Sequence, residues 1–123
     1  MPWSLRVMDD PKIVEIVYTG CVTSHDLRDA LRAALALAHD NMTNRYLADC
    51  VQLDSGHSIV DLFDVVTALD QSAIDRQSKE AIVLPVSPEF GSYAQFYEMT
   101  CRNRGLNARV FQDRQAAIAW LTE

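Results

Sequence analysis

The sequence predicts a small α/β protein in which helices pack against a mostly parallel sheet. Its 123 residues, 49% of them apolar, suit one domain with one core. β-branched segments alternate with helical stripes after an initial hairpin, and the apolar run Ala81 to Leu84 is typical of a strand buried on both faces. The predicted order is ββαβαβαβα: a five-stranded mixed sheet with four helices in a single domain over residues 1–123.

The first elements are a predicted hairpin and a predicted helix. Ser4 to Met8 alternates weakly, Asp9-Asp10-Pro11 signals a turn, and the β-branched segment Lys12 to Tyr18 follows. Thr23 and Asp26 have the spacing of a near-capping box, with Asp where Glu is preferred. The helix after them carries an apolar stripe made of Leu27, Ala30, Leu31, Ala34, Leu35 and Ala38.

The middle of the chain predicts a third strand and a second helix. Tyr46 to Leu53 is mostly apolar, and Asp54-Ser55-Gly56 is expected to end the strand. Ser58 and Asp61 form a second near-capping box. The amphipathic helix that follows is marked by Ile59, Leu62, Phe63, Val66 and Leu69.

The last third predicts the remaining elements. Pro85 and Pro88 close the central strand. A third helix starts either after Pro88 or at Ser92, and it ends before Gly105, which suits the position after a helix. Ala108 to Phe111 is the fifth predicted strand. Asp113 is expected to cap a final helix that carries Ala117, Trp120 and Leu121.

Charge and composition exclude several classes of function. Eleven basic against seventeen acidic residues give a net charge of −6, which argues against nucleic-acid binding and against docking on anionic lipid. No apolar run approaches the roughly 18 residues of a membrane span, and the first residues lack a signal-peptide pattern, so we expect a cytoplasmic protein. Cys21, Cys50 and Cys101 are too widely spaced for a disulfide framework or zinc ribbon, and we predict small buried side chains. Cys101 alone has close basic neighbours that could lower its thiol pKa.

The closing segment resembles a known family. Gly105 to Asp113, with its Val110-Phe111 pair, leads into Ala117-Ile118-Ala119-Trp120-Leu121. This pattern resembles the STAS-like (SpoIIAA-like) proteins, related to sporulation anti-anti-sigma factors, in which a strand ending in Val-Phe precedes a helix ending in Ala-x-x-Trp-Leu. Phe90-Gly91 is also similar. The resemblance implies a sheet packed by helices. It also implies a relation to phosphorylation-switched regulators and a structural similarity to CRAL-TRIO lipid-transfer domains.

The turn from Asp54 to Ser58 is one candidate site. In the anti-anti-sigma proteins, an Asp-Ser-Ser-Gly-like motif carries the phosphorylated serine, and Asp54-Ser55-Gly56 resembles it with one serine fewer. A helix N-terminus can hold a phosphate, so Ser55 or Ser58 is a candidate phosphorylation or anion site. The alternative is an ordinary turn followed by an N-cap serine. The turn follows the carboxyl end of a strand, where α/β sheets bind ligands.

The aromatic third helix is the other candidate site. Phe90, Tyr93 and Tyr97 share one helical face and Phe96 flanks it, which predicts either plain core or the wall of a ligand cavity. Buried tyrosine hydroxyls need hydrogen-bond partners, which suits a cavity that takes a mostly apolar ligand with a few polar groups. Met99 lies nearly opposite this face, either as an isolated exposed side chain or as a partner contact.

No catalytic or metal-binding signature is present. The sequence has no Gly-rich phosphate loop and no G-x-S-x-G elbow, and only Asp54, His57 and Asp61 could gather around a metal. We therefore expect no enzyme activity, no metal and no cofactor. The preferred hypothesis is a cytoplasmic module that binds a small apolar or amphipathic molecule. The alternative is a protein–protein regulatory module, phospho-switched at Ser55 or Ser58. A homodimer is plausible in either case.

Overall fold

The nine elements occur in the predicted order. The computed structural model describes residues 2–9, 11–72 and 74–123, so Asp10 of the predicted hairpin turn lies outside the described residues. The elements are β1 (Trp3–Met8), β2 (Ile13–Cys21), α1 (Ser24–Asp40), β3 (Arg45–Ser55), α2 (Ile59–Gln71), β4 (Lys79–Val83), α3 (Pro88–Asn103), β5 (Asn107–Phe111) and α4 (Arg114–Leu121).

The strands follow one another across the sheet in chain order. β1 pairs antiparallel with β2, and β2, β3, β4 and β5 are parallel neighbours. Right-handed crossovers that each add the next strand place their helices on one face, and α1, α2 and α3 all pack there. α4 comes after the last strand and packs on the other face, against Leu47, Ala81 and Val83. The predicted α/β fold class is therefore confirmed.

Strands β2, β3 and β4 each extend two or more residues beyond one predicted end, because backbone pairing continues there. β2 continues from Tyr18 to Cys21, since Thr19 and Gly20 pair with residues of β3. β3 includes Asp54 and Ser55, which were expected to break it, since Cys21 pairs with Ser55 across the ladder and the Val22 amide donates to the Ser55 carbonyl at 2.8 Å. β4 begins at Lys79 and not at Ala81, because Lys79 and the next residue pair with strands on both sides. α3 starts at Pro88, the earlier of the two predicted starts.

The starts of α1, α2 and α4 agree with their predicted capping residues. Both capping boxes are complete: the Asp26 amide donates to the Thr23 hydroxyl, the Asp61 amide donates to the Ser58 hydroxyl, and each Asp carboxylate accepts the N-cap amide in return. The amide of Ala116 donates to the Asp113 side chain at 2.7 Å and caps α4.

The cysteine prediction holds for two of three residues. Cys50 and Cys101 are buried, but Cys21 is exposed, because it is the last residue of β2 at the edge of the packed region. Burial raises the pKa of the Cys101 thiol, and this effect outweighs the opposite influence of Arg104. The basic neighbours of Cys101 therefore do not produce a thiolate.

Candidate ligand-binding cavity

A cavity of about 100 Å³ lies between the three-helix side of the sheet and the helices themselves. Alternate residues of a strand point to the same face, so three strands each contribute a pair of side chains to the cavity floor, and β3 adds Tyr46 and Leu53. These pairs are Ile16 and Tyr18, Ala48 and Cys50, and Glu80 and Ile82. The helices contribute mainly apolar side chains, including Leu31, Leu35, Leu62, Val65 and Ala94.

An aromatic cluster lines the end of the cavity near the carboxyl ends of the strands. The rings of Phe90 and Tyr93 pack edge to face with centroids 4.8 Å apart, and His57 packs against Phe90 at 5.2 Å. His57 Nδ1 is 2.8 Å from the carbonyl oxygen of Val22. Because a carbonyl oxygen only accepts, Nδ1 is the donor in this bond, which fixes the ring orientation.

A carboxyl–phenol pair supplies a polar group in this apolar lining. The Tyr97 hydroxyl donates to Glu80 Oε1 at 2.6 Å. Burial raises the pKa of Glu80, and the hydrogen bond from Tyr97 partly opposes that change. Burial also raises the pKa of Tyr97 and of Tyr18, so both phenols are neutral donors. Among the described residues, no Lys or Arg lines the cavity.

Three of the four predicted aromatic residues line the cavity. Phe90, Tyr93 and Tyr97 do so, whereas Phe96 packs beside them against the core cluster and does not reach it. The hydroxyl of Tyr97 finds Glu80, and that of Tyr93 finds Glu89 at 3.1 Å. Both tyrosines of the predicted stripe therefore have the hydrogen-bond partners that buried hydroxyl groups need.

The two candidate serines lie outside the cavity lining. Ser55 ends β3, and its hydroxyl donates to Asp54 at 2.9 Å. Ser58 caps α2, where its hydroxyl accepts the Asp61 amide at 3.2 Å and its own amide donates to the Asp61 carboxylate at 2.9 Å. A carboxylate therefore already occupies part of this helix start. In the part of the chain that the structure describes, no group of acidic, His or Cys side chains is arranged to hold a metal.

Glu80 and Tyr18 line the cavity but were not predicted from the sequence. Each lies two positions from an apolar residue on the same face of its strand: Glu80 is two residues before Ile82, and Tyr18 is two residues after Ile16. This period of two was the available signal. It could not be used for Glu80, because β4 was predicted to begin one residue later.

A second polar cluster lies on the opposite face of the sheet. Glu15 of β2 is only 1% exposed and forms ion pairs with Arg6 of β1 and Arg114 of α4. Arg114 also lies 3.6 Å from the Asp49 carboxylate. α4 does not cover this part of the sheet, and the arginine side chains shield the carboxylate instead.

Comparisons with known proteins identify the fold. No protein-family model matches the chain, and no curated protein is significantly similar to it. The architecture is a SpoIIAA-like fold. It is similar to the crystal structure of an uncharacterised DUF3478-family protein with a SpoIIAA-like fold from Shewanella loihica PV-4. The TM-score is 0.61 and the identity 16%, over 97% of this chain and 91% of that one. The resemblance predicted from the closing segment is thus confirmed at the level of the fold.

A helix needs about 20 consecutive, mostly apolar residues to cross a bilayer. Within residues 2–9, 11–72 and 74–123, no helix has an apolar stretch that could span a membrane.

Proposed function

We propose that the chain is a binding module, without enzyme activity, that holds a small apolar or amphipathic molecule between its sheet and its three-helix layer. The observation that carries this proposal is the cavity itself. Protein interiors are packed to crystal-like density, so a void much larger than a water molecule is uncommon in a small domain. Here it is bounded by apolar side chains with a carboxyl–phenol pair on one wall.

The size of the cavity indicates the size of the ligand. An apolar cavity of about 150 Å³ in another protein stays dry and binds benzene or xenon. A volume of about 100 Å³ accordingly suits a ring or a short chain of about six carbon atoms or fewer. The ligand would gain roughly 25 cal/mol for each Å² of apolar surface that leaves water.

The chemistry of the cavity lining supports binding of a ligand without chemical conversion of it. Cys50 is the thiol that lines the cavity, and burial raises its pKa, so it is not a ready nucleophile. The hydrogen bond that Glu80 receives comes from Tyr97, a neutral phenol. All three cysteines are free, which is typical of the reducing cytoplasm where we expect the module to act.

The test is a benzene titration followed by NMR, together with native mass spectrometry of gently purified protein. Benzene has no polar group and reports the cavity alone. We expect saturable shifts at residues such as Ile82 and Ala94, and a bound mass beyond that of the polypeptide. Folded protein that shows neither result contradicts the proposal.

A matched pair of substitutions locates the binding. Ala94→Leu places three more carbons in the cavity and should weaken benzene binding by roughly tenfold or more, equivalent to about 1.4 kcal/mol. Ala119→Leu makes the same change on the exposed side of α4 and should leave binding unchanged. Equal binding by the two variants would place the benzene elsewhere. If Ala94→Leu does not fold, the residues that shift in the unchanged protein show whether benzene binds in the cavity.

The alternative proposal is a protein–protein regulatory module, phospho-switched at Ser55 or Ser58. It is favoured by three exposed apolar residues at the start of α2: Ile59, Val60 and Phe63 are 41, 67 and 45% exposed. The Asp61 carboxylate at the same helix start would repel a phosphate on Ser58. Peptide mapping after incubation with a kinase-containing lysate tests it, and unmodified serines would remove the switch. A homodimer stays a prediction.

A further inference from the structure

We propose that the cavity selects ligands whose polar end donates a hydrogen bond, such as an amine or an alcohol, and discriminates against ligands that end in a carboxylate. This inference rests on the proposed function and adds the chemical class of the ligand. It follows from which hydrogen-bonding groups border the cavity and from the charges that surround them.

Glu80 offers the ligand an acceptor. Its Oε1 atom accepts the Tyr97 hydroxyl, whereas Oε2 receives no hydrogen bond from any side chain or amide in the described ranges. A carboxylate has about four acceptor positions, so this oxygen can accept a donor from a ligand. A bond from an ammonium to a carboxylate is short and roughly twice as strong as a neutral one.

The titratable groups close to Glu80 supply no positive charge that could offset the charge of an anionic ligand. Five titratable groups lie close enough for the Glu80 carboxyl group to raise their pKa values: Tyr97 and Cys101 of α3, Tyr18 of β2, and Tyr46 and Cys50 of β3. All five are weak acids, and burial raises the pKa of each, so none carries a positive charge.

The helices that close the cavity do not change this balance. The residues that α1 and α2 contribute to the lining are apolar. His57 lies at the aromatic end of the cavity, and its Nδ1–H already donates a hydrogen bond to the Val22 carbonyl. A ligand carboxylate would therefore be desolvated beside a second carboxyl group with no Lys or Arg in the lining to pair with it. An alcohol or ammonium would instead satisfy the free acceptor of Glu80.

The experiment compares three ligands with the same six-carbon chain: hexylamine, hexanol and hexanoate. NMR titration at neutral pH should show that the amine and the alcohol bind roughly tenfold or more tightly than the acid. In Glu80→Gln the amine should lose about tenfold in affinity, hexanol should change little, and hexanoate should improve because an amide can donate. Glu123→Gln, at an exposed position near the chain end, should reproduce the unchanged protein.

The outcomes distinguish the head-group preference from the proposed binding function on which it rests. If benzene binds and hexanoate binds as tightly as hexylamine, the head-group preference is overturned and the binding module stands. If neither benzene nor any hexyl compound binds, the proposed function fails and the inference fails with it. If Glu80→Gln does not fold, the order of the three ligand affinities in the unchanged protein decides whether the head-group preference holds.

Discussion

Glu80 is a buried carboxyl group that is unfavourable for packing the core but gives the candidate site a hydrogen-bond acceptor. A carboxyl group enclosed between a sheet and its helices loses water, which disfavours the charged form and raises its pKa. The Tyr97 hydroxyl returns part of the lost stabilisation through a 2.6 Å hydrogen bond. An apolar side chain would pack there without this cost, so the carboxyl group is hard to explain by stability alone.

The pH dependence of stability should reveal this cost. A carboxyl group with a raised folded-state pKa contributes stability below its ordinary pKa, and that contribution is lost as pH rises through the folded value. Glu80→Gln should therefore gain stability relative to the unchanged protein as pH rises from acid to neutral.

Urea unfolding at a series of pH values measures this difference. Glu123→Gln serves as the control and should show an almost constant difference. A Glu80→Gln difference that does not change with pH would mean that the folded protein does not perturb this carboxyl group.

The contrast between Tyr97 and Glu80 shows what the sequence could predict about the site. The aromatic face was predictable because Phe90, Tyr93 and Tyr97 recur with the helical period inside one element. Glu80 comes from another element, and its position opposite Tyr97 depends on how α3 packs over β4. Local periodicity contains no information about that packing.

At the scale of elements, the turn between β3 and α2 positions the aromatic end of the cavity. Gly56 has φ +112°, and a Cβ atom there would lie 2.5 Å from the backbone N and O of Val22. The Val22 amide donates to the Ser55 carbonyl, and the Val22 carbonyl accepts from His57. Only glycine permits both this dihedral angle and this close approach.

Two glycine substitutions should have opposite effects. Gly56→Ala forces a strained dihedral angle and a backbone clash, and we expect a loss of about 2–3 kcal/mol in the free energy of unfolding. Gly91→Ala adds a methyl group inside α3 where no atom lies within 4 Å, and should gain about 0.5–1 kcal/mol.

Chemical denaturation of the two alanine variants compares them directly. Gly56→Ala should also shift the NMR signal of His57, which neighbours the turn. If both variants were equally stable, the turn would not have the close approach described here.

Element boundaries show a second limit of sequence reasoning. The starts of α1 and α2 were predictable because each capping box is a contact between residues three apart. The end of β3 was not, since its last pairing is with Cys21, more than thirty residues earlier. Asp54 and Ser55 have the local character of a turn, but the ladder to β2 extends through them.

At the scale of the whole molecule, the two faces of the sheet are covered differently. Within the described residues, three helices bury one face, and α4 is the one helix that packs on the other. The part that α4 leaves uncovered holds the cluster of Glu15 with Arg6 and Arg114, which joins the first two strands to the last helix.

Arg114 should therefore matter more than an ordinary surface arginine. Arg114→Ala leaves the buried Glu15 carboxylate with one partner, and we expect a loss of about 2–3 kcal/mol. Arg32→Ala removes an exposed pair with Asp29 at 3.8 Å and should cost at most about 0.5 kcal/mol.

Thermal unfolding of the two variants, with and without salt, tests this difference. The Arg114→Ala loss should persist at high salt because its partner is shielded from water. Equal losses in both variants would show that the cluster behaves as a solvated surface pair.

The linear strand order has a consequence for synthesis. Each strand from β2 onward pairs with a strand that has already left the ribosome, so the sheet can grow in one direction as the chain emerges. The face of β3 and β4 that carries Leu47, Ala81 and Val83 is covered when α4 has emerged and packed on it. Until then the nascent protein exposes apolar parallel strands, so the emergence of α4 ends a stage of synthesis in which these strands could aggregate.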